Sequence, residues 1–310
     1  MKINSAKTDI SMAALGLEAP IVTVSEKPTN SEVSALKKHV AAMLHSECYI
    51  RNIGLIDLRN ARYQGGTTLS SGYLPKWDIY DIFIKVCSLH PTGQWRSDSL
   101  YESYAMDLFA DSGVKVAEAV PAYVVFFNTE TQKDEVRLCE VAVKFSGALT
   151  YYRDLKRTYE YGRYMNDELI DFTDRFPDAK IGLLNMFVVV YIMNQEDRHS
   201  KNLGVLDDGS FAPLYDNGSS LYYTVPDEWL VNGVEPEGVA QVKFLSKAPD
   251  IAIRRYGDWF NAKPSVDLVV VLKNLDTVEK RYEGMMRSER MRHNRNLIER
   301  RIALCMEILS

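Results

Sequence analysis

Short apolar runs separated by polar turns fill much of the first half of the chain and predict β-strands. Strands are predicted over residues 79–86, 119–128 and 136–145, with shorter β-rich pieces over 21–24 and 49–58. Strands that follow one another through a short polar turn, such as residues 129–135, pair in antiparallel fashion. The first half is therefore predicted to form an antiparallel sheet.

Apolar residues at helical spacing predict helices within and after this sheet. Residues 30–45 and 100–112 each present one apolar face, and Gly113 is placed to end the second helix. Residues 179–193 are apolar except for Lys180 and Asn185, which suits a buried strand or a helix, and their length favours a core helix. From residue 265 the pattern is helical. The fold class predicted from these patterns is α+β.

A glycine- and hydroxyl-rich stretch at residues 62–72 precedes the predicted strand 79–86. Gly65 and Gly66 would let the backbone approach phosphate groups, and Thr67 has a hydroxyl to donate. The same composition is typical of a plain flexible loop, and both interpretations stay open. The following strand carries Lys85 in an apolar setting, so this lysine needs an anionic partner or must face water at a sheet edge.

Reactive side chains are most concentrated directly after the apolar run 179–193. The next eight residues, Gln195 to Asn202, include two acids, two bases, a histidine and an asparagine. Residues 203–214 then predict a hairpin with Gly209 at its bend, and the hairpin is followed by the tripeptide Asp216-Asn217-Gly218. Helix, polar loop, hairpin and Asp-x-Gly is the order used by kinase-type phosphotransferases.

The residue types on this loop suit the transfer of a phosphoryl group. Asn202 and Asp216 offer oxygen ligands of the kind that Mg²⁺ prefers, and Asp197 is placed to orient a hydroxyl nucleophile. Lys201 suits a phosphate oxygen. His199 is predicted to brace the loop as a buried residue, because Mg²⁺ prefers oxygen over nitrogen.

The run Asp197-Arg198-His199-Ser200-Lys201-Asn202, followed by Tyr215-Asp216-Asn217-Gly218, resembles the D-x-H-x-K-N and downstream Asp of the HipA-like serine/threonine kinases. This is a bacterial family of toxin-module kinases with small CtkA-like relatives. The run is also similar to the D-R-H-x-x-N of phosphatidylinositol kinases, but Lys201 favours the first family. The resemblance covers roughly residues 80–220.

The resemblance implies a bilobal protein-kinase-like fold, with an antiparallel-sheet N-lobe over residues 1–146 and a helical C-lobe over residues 147–310. It also implies ATP and Mg²⁺ as cofactors. Asp197 and Lys201 would be catalytic, and Asn202 and Asp216 would hold the metal. Lys85 would bind the nucleotide phosphates and pair with Glu102, an acid on the following helix. The glycine-rich loop would contribute Gly65, Gly66 and Thr67, and the region of the lobe hinge would contribute backbone groups of Val143 and Phe145.

The expected function is transfer of the ATP γ-phosphate to a protein serine or threonine, with autophosphorylation, and a regulatory antitoxin-like partner is implied. A phosphatidylinositol-type lipid kinase, a catalytically inactive kinase-fold binding protein and an enzyme that transfers AMP are the alternatives. The lipid alternative draws on a basic cluster near the end of the chain, which equally fits a solvated helix face; the cluster is Arg287, Arg290, Arg292, Arg295, Arg300 and Arg301.

Composition argues against several other classes of protein. The 310 residues carry a formal net charge of -5, which argues against a dedicated nucleic-acid binder. Four scattered cysteines lack the spacing of a zinc site or a disulfide framework. The apolar run 181–193 is too short to cross a bilayer, and no signal peptide is recognised, so membrane binding is not expected. We expect a cytoplasmic protein, or one secreted into a host cell without a cleavable signal.

Overall fold

The structure is a computed structural model and describes residues 21–63, 74–87, 98–145, 149–151, 169, 172–223, 225, 227, 230 and 248–310. Within these residues the fold is mixed α/β. Its sheet is formed by six strands: β1 (Ile21–Thr23), β2 (Leu55–Asp57), β3 (Lys76–Ile79), β4 (Ile82–Val86), β5 (Ala119–Asn128) and β6 (Lys133–Val143). The strand order across the sheet is β1-β2-β5-β6-β4-β3.

The prediction of an antiparallel sheet holds for only part of these strands. The strands β5, β6, β4 and β3 pair antiparallel, whereas β1 pairs with β2 and β2 with β5 in parallel. The helix α1 (Asn30–Leu44) connects β1 to β2. A crossover of this length returns the chain to the end of the sheet from which it left, so the next strand runs in the same direction.

The predicted strand 79–86 is a hairpin and not one strand. The chain reverses at Tyr80 and Asp81, where Tyr80 has a φ of 55°, and the amide of Lys144 donates to the Asp81 carbonyl at 2.8 Å. The β-rich piece predicted at 49–58 likewise begins as a short helix, α2 (Tyr49–Asn52). In the observed register Lys85 of β4 lies opposite Glu140 of β6, so a buried carboxylate neighbours this lysine across the sheet.

The first helices pack beside the sheet. Helix α1 begins after Thr29, whose hydroxyl accepts from the Glu32 amide while the Glu32 carboxylate accepts from the Thr29 amide; this reciprocal cap fixes its first turn. Helix α3 (Asp98–Leu108) packs against β5 and β6. Its inward residues include Tyr101, Glu102 and Ser103, and Glu102 is 4% exposed. A buried carboxylate next to the sheet needs hydrogen-bond donors.

The later helices pack against one another. They are α4 (Ala179–Ile192), α5 (Pro249–Phe260), α6 (Leu268–Tyr282) and α7 (Ser288–Leu309). The core helix predicted over 179–193 is confirmed as α4, in which all residues from Leu183 to Ile192 are buried. A helix that is apolar all round must be covered on all sides, and α5 and α7 pack against it. The described helices include none that is both long and apolar enough to cross a membrane.

One hydrophobic cluster runs from the sheet through α3 to α4, α6 and α7. The short strand β7 (Thr150–Tyr151) pairs antiparallel with β8 (Gly204–Val205), which belongs to the hairpin predicted over 203–214. That hairpin closes at Gly209, with a φ of 82°, and the amide of Leu206 donates to the Ser210 carbonyl. The lobe boundary predicted between residues 146 and 147 falls on residues outside the described ones, and the two lobes stay a prediction.

Candidate functional site

The loop with the reactive side chains starts from a fixed point at the end of α4. Asn194 has a φ of 45° and turns the chain out of the helix. Arg301 of α7, which is 5% exposed, donates to the Tyr191 carbonyl and to the Asn194 side-chain oxygen, each at 3.0 Å. The Gln195 amide donates back to the Val190 carbonyl at 3.1 Å. The loop therefore leaves α4 in one direction, set by a buried arginine.

Arg198 holds the two parts of the site together. Its side chain is fully buried, and it donates to the Asn202 carbonyl at 2.9 Å, the Tyr215 carbonyl at 2.8 Å and the Asn217 side-chain oxygen at 2.5 Å. Burial lowers the pKa of the guanidinium, and the carboxylates of Glu102 and Asp216 oppose this. A planar guanidinium with several donors is suited to joining three acceptors from two chain segments.

The prediction that His199 is the buried brace of the loop is therefore wrong. His199 is only half-buried, and its Nδ1 accepts from the amide of Lys201 at 3.3 Å. The adjacent Arg198 has the role because a guanidinium offers five N–H donors, enough for the three acceptors on Asn202, Tyr215 and Asn217. In the sequence, the only signal for the role of Arg198 was the D-R-H motif. That motif does not show which of its side chains turns inward.

Asp197, Asn202 and Asp216 lie on backbone segments that these contacts join. The Asn202 amide nitrogen Nδ2 donates to the Asp197 carbonyl at 3.0 Å, and Gln195 Nε2 donates to the Asp216 carbonyl at 3.0 Å. Asp216 has a φ of 56°, a left-handed conformation that aspartate adopts more readily than most residues with a side chain, and the contacts around it support this conformation. The structure thus brings the loop and the Asp-x-Gly tripeptide together.

Lys85 forms an ion pair with Asp216. The distance from Nζ to Oδ1 is 2.9 Å, and the two side chains are 38% and 37% exposed. The Asp216 carboxylate, with smaller contributions from Glu140 and Glu102, raises the pKa of Lys85, and Lys85 in turn lowers the pKa of Asp216. The lysine in the apolar strand therefore has the anionic partner that its setting requires, and the alternative of a water-facing lysine at a sheet edge is not what the structure shows.

Glu102 has different hydrogen-bond partners from the predicted one. In place of a pairing with Lys85, its Oε1 accepts from the Gly218 amide and its Oε2 from the Asn217 side-chain amide, each at 3.2 Å. Burial, and next the Asp216 carboxylate, raise the pKa of Glu102 to about 7, while Lys85 and Arg198 oppose this. Glu102 thus fixes the backbone that follows Asp216, and acts on Lys85 through its charge alone.

Of the other residues predicted to contact the nucleotide, the structure describes only Val143 and Phe145. The Val143 amide donates to the Glu118 carbonyl at 2.9 Å, so the sheet already uses this donor and it is not available for adenine. Phe145 packs 5.9 Å from the Tyr215 ring, and the Tyr215 hydroxyl donates to the carbonyl of the exposed Lys201 at 2.7 Å. The prediction for Phe145 stays open, while Gly65, Gly66 and Thr67 lie outside the described residues.

The donor chemistry of the site fits Mg²⁺ that arrives with a nucleotide. In the part of the chain that the structure describes, no three His, Cys, Asp or Glu side chains are grouped to hold a metal by themselves. Mg²⁺ in kinase-type sites is bound by one or two carboxylates together with substrate phosphates. Asp216 supplies a carboxylate, and Asn202 uses its nitrogen toward Asp197, which leaves its amide oxygen as the side-chain atom for a cation.

Comparisons with known proteins show a kinase-like fold. No family model matches the sequence, and no curated protein matches it either. Among solved structures, the crystal structure of a Helicobacter pylori proinflammatory kinase, CtkA, matches with a TM-score of 0.53 and 16% sequence identity. The match covers 82% of this chain and 96% of that chain. At this identity the similarity concerns the fold, and the function must be argued from the site.

Proposed function

We propose that this protein is an ATP-dependent kinase that transfers the γ-phosphate to a serine or threonine of a protein, including its own chain. One observation carries the proposal. Lys85 pairs with Asp216 at 2.9 Å, and Arg198 attaches the backbone around Asp216 to the loop that bears Asp197 and Asn202. A cation, a metal-binding carboxylate and a hydroxyl-orienting carboxylate on joined segments are the components that phosphoryl transfer requires.

In the proposed reaction the acceptor hydroxyl oxygen forms a bond to the γ-phosphorus. The bond from this phosphorus to the β–γ bridging oxygen breaks, and ADP leaves with the electron pair. The hydroxyl proton passes to the Asp197 carboxylate. Mg²⁺, when bound by Asn202 and Asp216, supplies positive charge to the phosphates. Lys85 and Lys201 add further positive charge at the phosphate oxygens, and Arg198 and Glu102 keep the backbone segments in place.

The proposed kinase has two lobes, over residues 1–146 and 147–310, with the nucleotide between them. This division is supported by the position of Lys85 on the sheet and of Asp197 and Asn202 after α4. Proteins are the proposed acceptors because Lys201 matches the HipA-like pattern. An antitoxin-like regulatory partner and a cytoplasmic or host-cell location belong to the same proposal.

The lipid-kinase alternative loses most of its support from the basic cluster. Arg290 and Arg301 of that cluster are buried at 3% and 5% exposure. Arg295 forms ion pairs with Asp276, Glu279 and Glu299 on the two last helices. At least half of the six arginines are thus engaged by groups of the protein itself, and the cluster is not one continuous basic face for an anionic membrane.

Labelled ATP tests the proposal directly. Purified protein with Mg²⁺ is incubated with ATP labelled on the α- or the γ-phosphate, alone, with a cell lysate or with phosphoinositide vesicles, and phosphoamino acids are identified. We expect γ-label on serine or threonine, lost in Asp197→Asn and Asp216→Asn and retained in Asp258→Asn, an exposed aspartate on α5. Label from the α-phosphate alone would show AMP transfer and contradict the proposal, as would label on phosphoinositide vesicles without label on protein.

A further inference from the structure

The segment that follows Asp216-Asn217-Gly218 has an unfavourable backbone conformation. Leu221 and Tyr222 are consecutive non-glycine residues with φ values of 51° and 55°. Left-handed conformations at side-chain-bearing residues persist only where surrounding contacts enforce them. Two such residues in succession therefore indicate that something holds this segment firmly.

The contacts that hold it come from Arg290 of α7, which is 3% exposed. Arg290 donates to the carbonyls of Leu221 at 3.4 Å, Tyr222 at 3.2 Å and Val225. Its Nε also donates to the Asp227 carboxylate at 2.8 Å. Arg290, Asp227 and these three carbonyls form the Arg290 clamp. One guanidinium thus binds both strained residues and an acid farther along the same segment.

Asp227 supplies the negative charge of the Arg290 clamp. Its side chain is 22% exposed, and its second oxygen, Oδ2, lies 3.6 Å from Nε of Arg287, the residue before α7 begins. The carboxylate thus lies between two arginines at the start of that helix, where the helix dipole also favours an anion. A partly buried guanidinium–carboxylate pair with further hydrogen bonds is a fixed structural contact and not a screened surface pair.

The clamped segment is also joined to the candidate site. The Ser220 hydroxyl donates to the Asn217 carbonyl at 2.6 Å, the Glu196 amide to the Ser219 carbonyl at 2.7 Å and the Leu221 amide to the Met193 carbonyl at 2.8 Å. Movement of Leu221 and Tyr222 would therefore move both the start of the reactive loop and the residue after Asp216. The Arg290 clamp therefore helps to fix the position of the candidate site through residues 219–222.

We propose that the Arg290–Asp227 pair orders the segment after Asp216 permanently, so that the protein transfers phosphate without prior phosphorylation of this segment. The inference rests on the proposed kinase function. In kinases that are switched on by phosphorylation, the added phosphate pairs with arginine and orders the segment downstream of the Asp-x-Gly. Here a carboxylate encoded in the sequence already pairs with the arginine, and no added charge is needed for that contact.

Hydrogen exchange tests the ordering independently of any enzymatic activity. The protein is treated with a phosphatase, shown by intact mass to carry no phosphate, and exchanged as wild type, Arg290→Met, Asp227→Asn and Asp227→Glu. We expect residues 217–223 to be protected in the phosphate-free wild type, to exchange at least about tenfold faster in Arg290→Met and Asp227→Asn, and to regain protection in Asp227→Glu. Unprotected residues 217–223 in the phosphate-free wild type would overturn the inference.

Two controls separate loss of the clamp from loss of the fold. Peptides from the buried helix α4 report whether a variant remains folded. Arg295→Met removes an arginine of the same helix whose partners are Asp276, Glu279 and Glu299, so it should leave the exchange of 217–223 as in the wild type. Equal acceleration of 217–223 in Arg295→Met and Asp227→Asn would overturn the specific role of the pair.

Rates of γ-phosphate transfer to an external protein acceptor complete the test. The phosphate-free wild type should start transfer without a lag, and Asp227→Asn should lower kcat by roughly tenfold or more with little change in the KM for ATP. A wild type that is inactive until it is rephosphorylated would contradict the inference. If no form of the protein transfers phosphate, the proposed function fails, and the exchange measurements still decide whether the pair orders the segment.

Discussion

Arg198 donates a hydrogen bond of 2.5 Å to the side-chain oxygen of Asn217, and so attaches the loop that bears Asp197 and Asn202 to the tripeptide that bears Asp216. The same guanidinium donates to two backbone carbonyls, and the Asn217 amide in turn donates to Glu102 on α3. A chain of buried hydrogen bonds therefore connects α3, the tripeptide and the loop. Since each member fixes the next, the loss of one donor affects the whole site.

The first prediction concerns Arg198→Met. This change leaves the Asn202 and Tyr215 carbonyls and the Asn217 side chain without their donor, so it should lower the free energy of unfolding by roughly 3 kcal/mol or more and abolish phosphate transfer. Urea unfolding measures the stability. Arg292→Met, at an exposed position on α7, should change it by less than about 0.5 kcal/mol. Equal stability of the two variants would contradict the role given to Arg198.

A second prediction follows from the raised pKa of Glu102. In the folded protein the pKa of this carboxyl is about 7, above its ordinary value of 4.5, because it is buried and lies near Asp216. The folded state therefore binds this proton more tightly than the unfolded chain does, and the contribution of Glu102 to stability is lost as the pH rises from its ordinary pKa through 7. The titration of one proton changes the free energy of unfolding by at most about 1.4 kcal/mol per pH unit.

The comparison of wild type with Glu102→Gln isolates this effect. The free energy of unfolding of the wild type minus that of the variant should fall between about pH 5 and pH 8 and then level off. Asp107, whose pKa burial raises to about 6, is present in both proteins and cancels in the difference. Parallel pH profiles of the two proteins would show that Glu102 does not titrate in this range.

A third prediction concerns the contact between α3 and α6. Arg281 of α6 pairs with the buried Asp107 of α3, donates to the Leu44 carbonyl at 2.7 Å and lies 4.5 Å from the centre of the Tyr49 ring. Arg281→Met would leave the Asp107 carboxylate buried without its cation, so we expect a loss of about 3–5 kcal/mol in the free energy of unfolding. Part of this loss should be recovered in the double variant with Asp107→Asn, which removes the buried charge.

The neighbouring Lys280 offers a matched control for Arg281. Its ion pair with Glu47 joins side chains that are 63% and 82% exposed, so solvent screens it. Lys280→Met should leave the urea midpoint unchanged within error. If Arg281→Met were equally harmless, the pair with Asp107 would not be what holds α3 against α6.

A fourth prediction compares two glycines with the same backbone conformation. Gly113 and Gly209 have φ values of 85° and 82°, so alanine at either position meets the left-handed penalty of roughly 1–2 kcal/mol. A Cβ at Gly113 would also lie 2.7 Å from the Ser265 carbonyl oxygen, whereas at Gly209 the nearest atom is 3.8 Å away, on Phe176. Gly113→Ala should therefore destabilise the protein more than Gly209→Ala.

The backbone near Ser265 cannot easily move away from such a Cβ. The Ser265 amide donates to the Asn185 side-chain oxygen at 2.8 Å, and the Asn185 amide donates to the Ser265 hydroxyl at 3.0 Å. We expect a further loss on the order of 1 kcal/mol at Gly113, measured by urea unfolding of both variants. A larger effect at Gly209 would contradict the description of this contact.

Elements with strong local patterns were predictable from the sequence. Helix α4 and the strands β5 and β6 follow from mainly apolar or alternating residues, since burial of those side chains is favourable in almost any arrangement. The hairpin of β3 and β4 was missed because Tyr80 adopts a φ of 55° without a glycine to signal it. The parallel pairing of β1 and β2 depends on where α1 packs, which no local pattern shows.

The residues of the candidate site could be predicted from the sequence, but the contacts between them could not. The loop 195–202 stands out because so many charged and hydrogen-bonding groups follow an apolar run. Which of them turn inward was not readable: Arg198 is buried, while the adjacent His199 is half-exposed. Of the six arginines near the end of the chain, Arg290 and Arg301 are likewise buried, each against carbonyl groups of the site's flanking segments.

The sequence by itself determined which residues are apolar enough to form the core and where the polar loop and the Asp216 tripeptide follow it. Only the tertiary structure decided that Lys85 pairs with Asp216, 131 positions away, and that Glu102 binds the Gly218 amide instead of Lys85. The physical reason is that burial is non-directional and acts on each residue by its type, so it is visible in a local pattern. Ion pairs and hydrogen bonds act only over a few ångströms, and those distances exist only after the sheet, α3 and α4 have packed together.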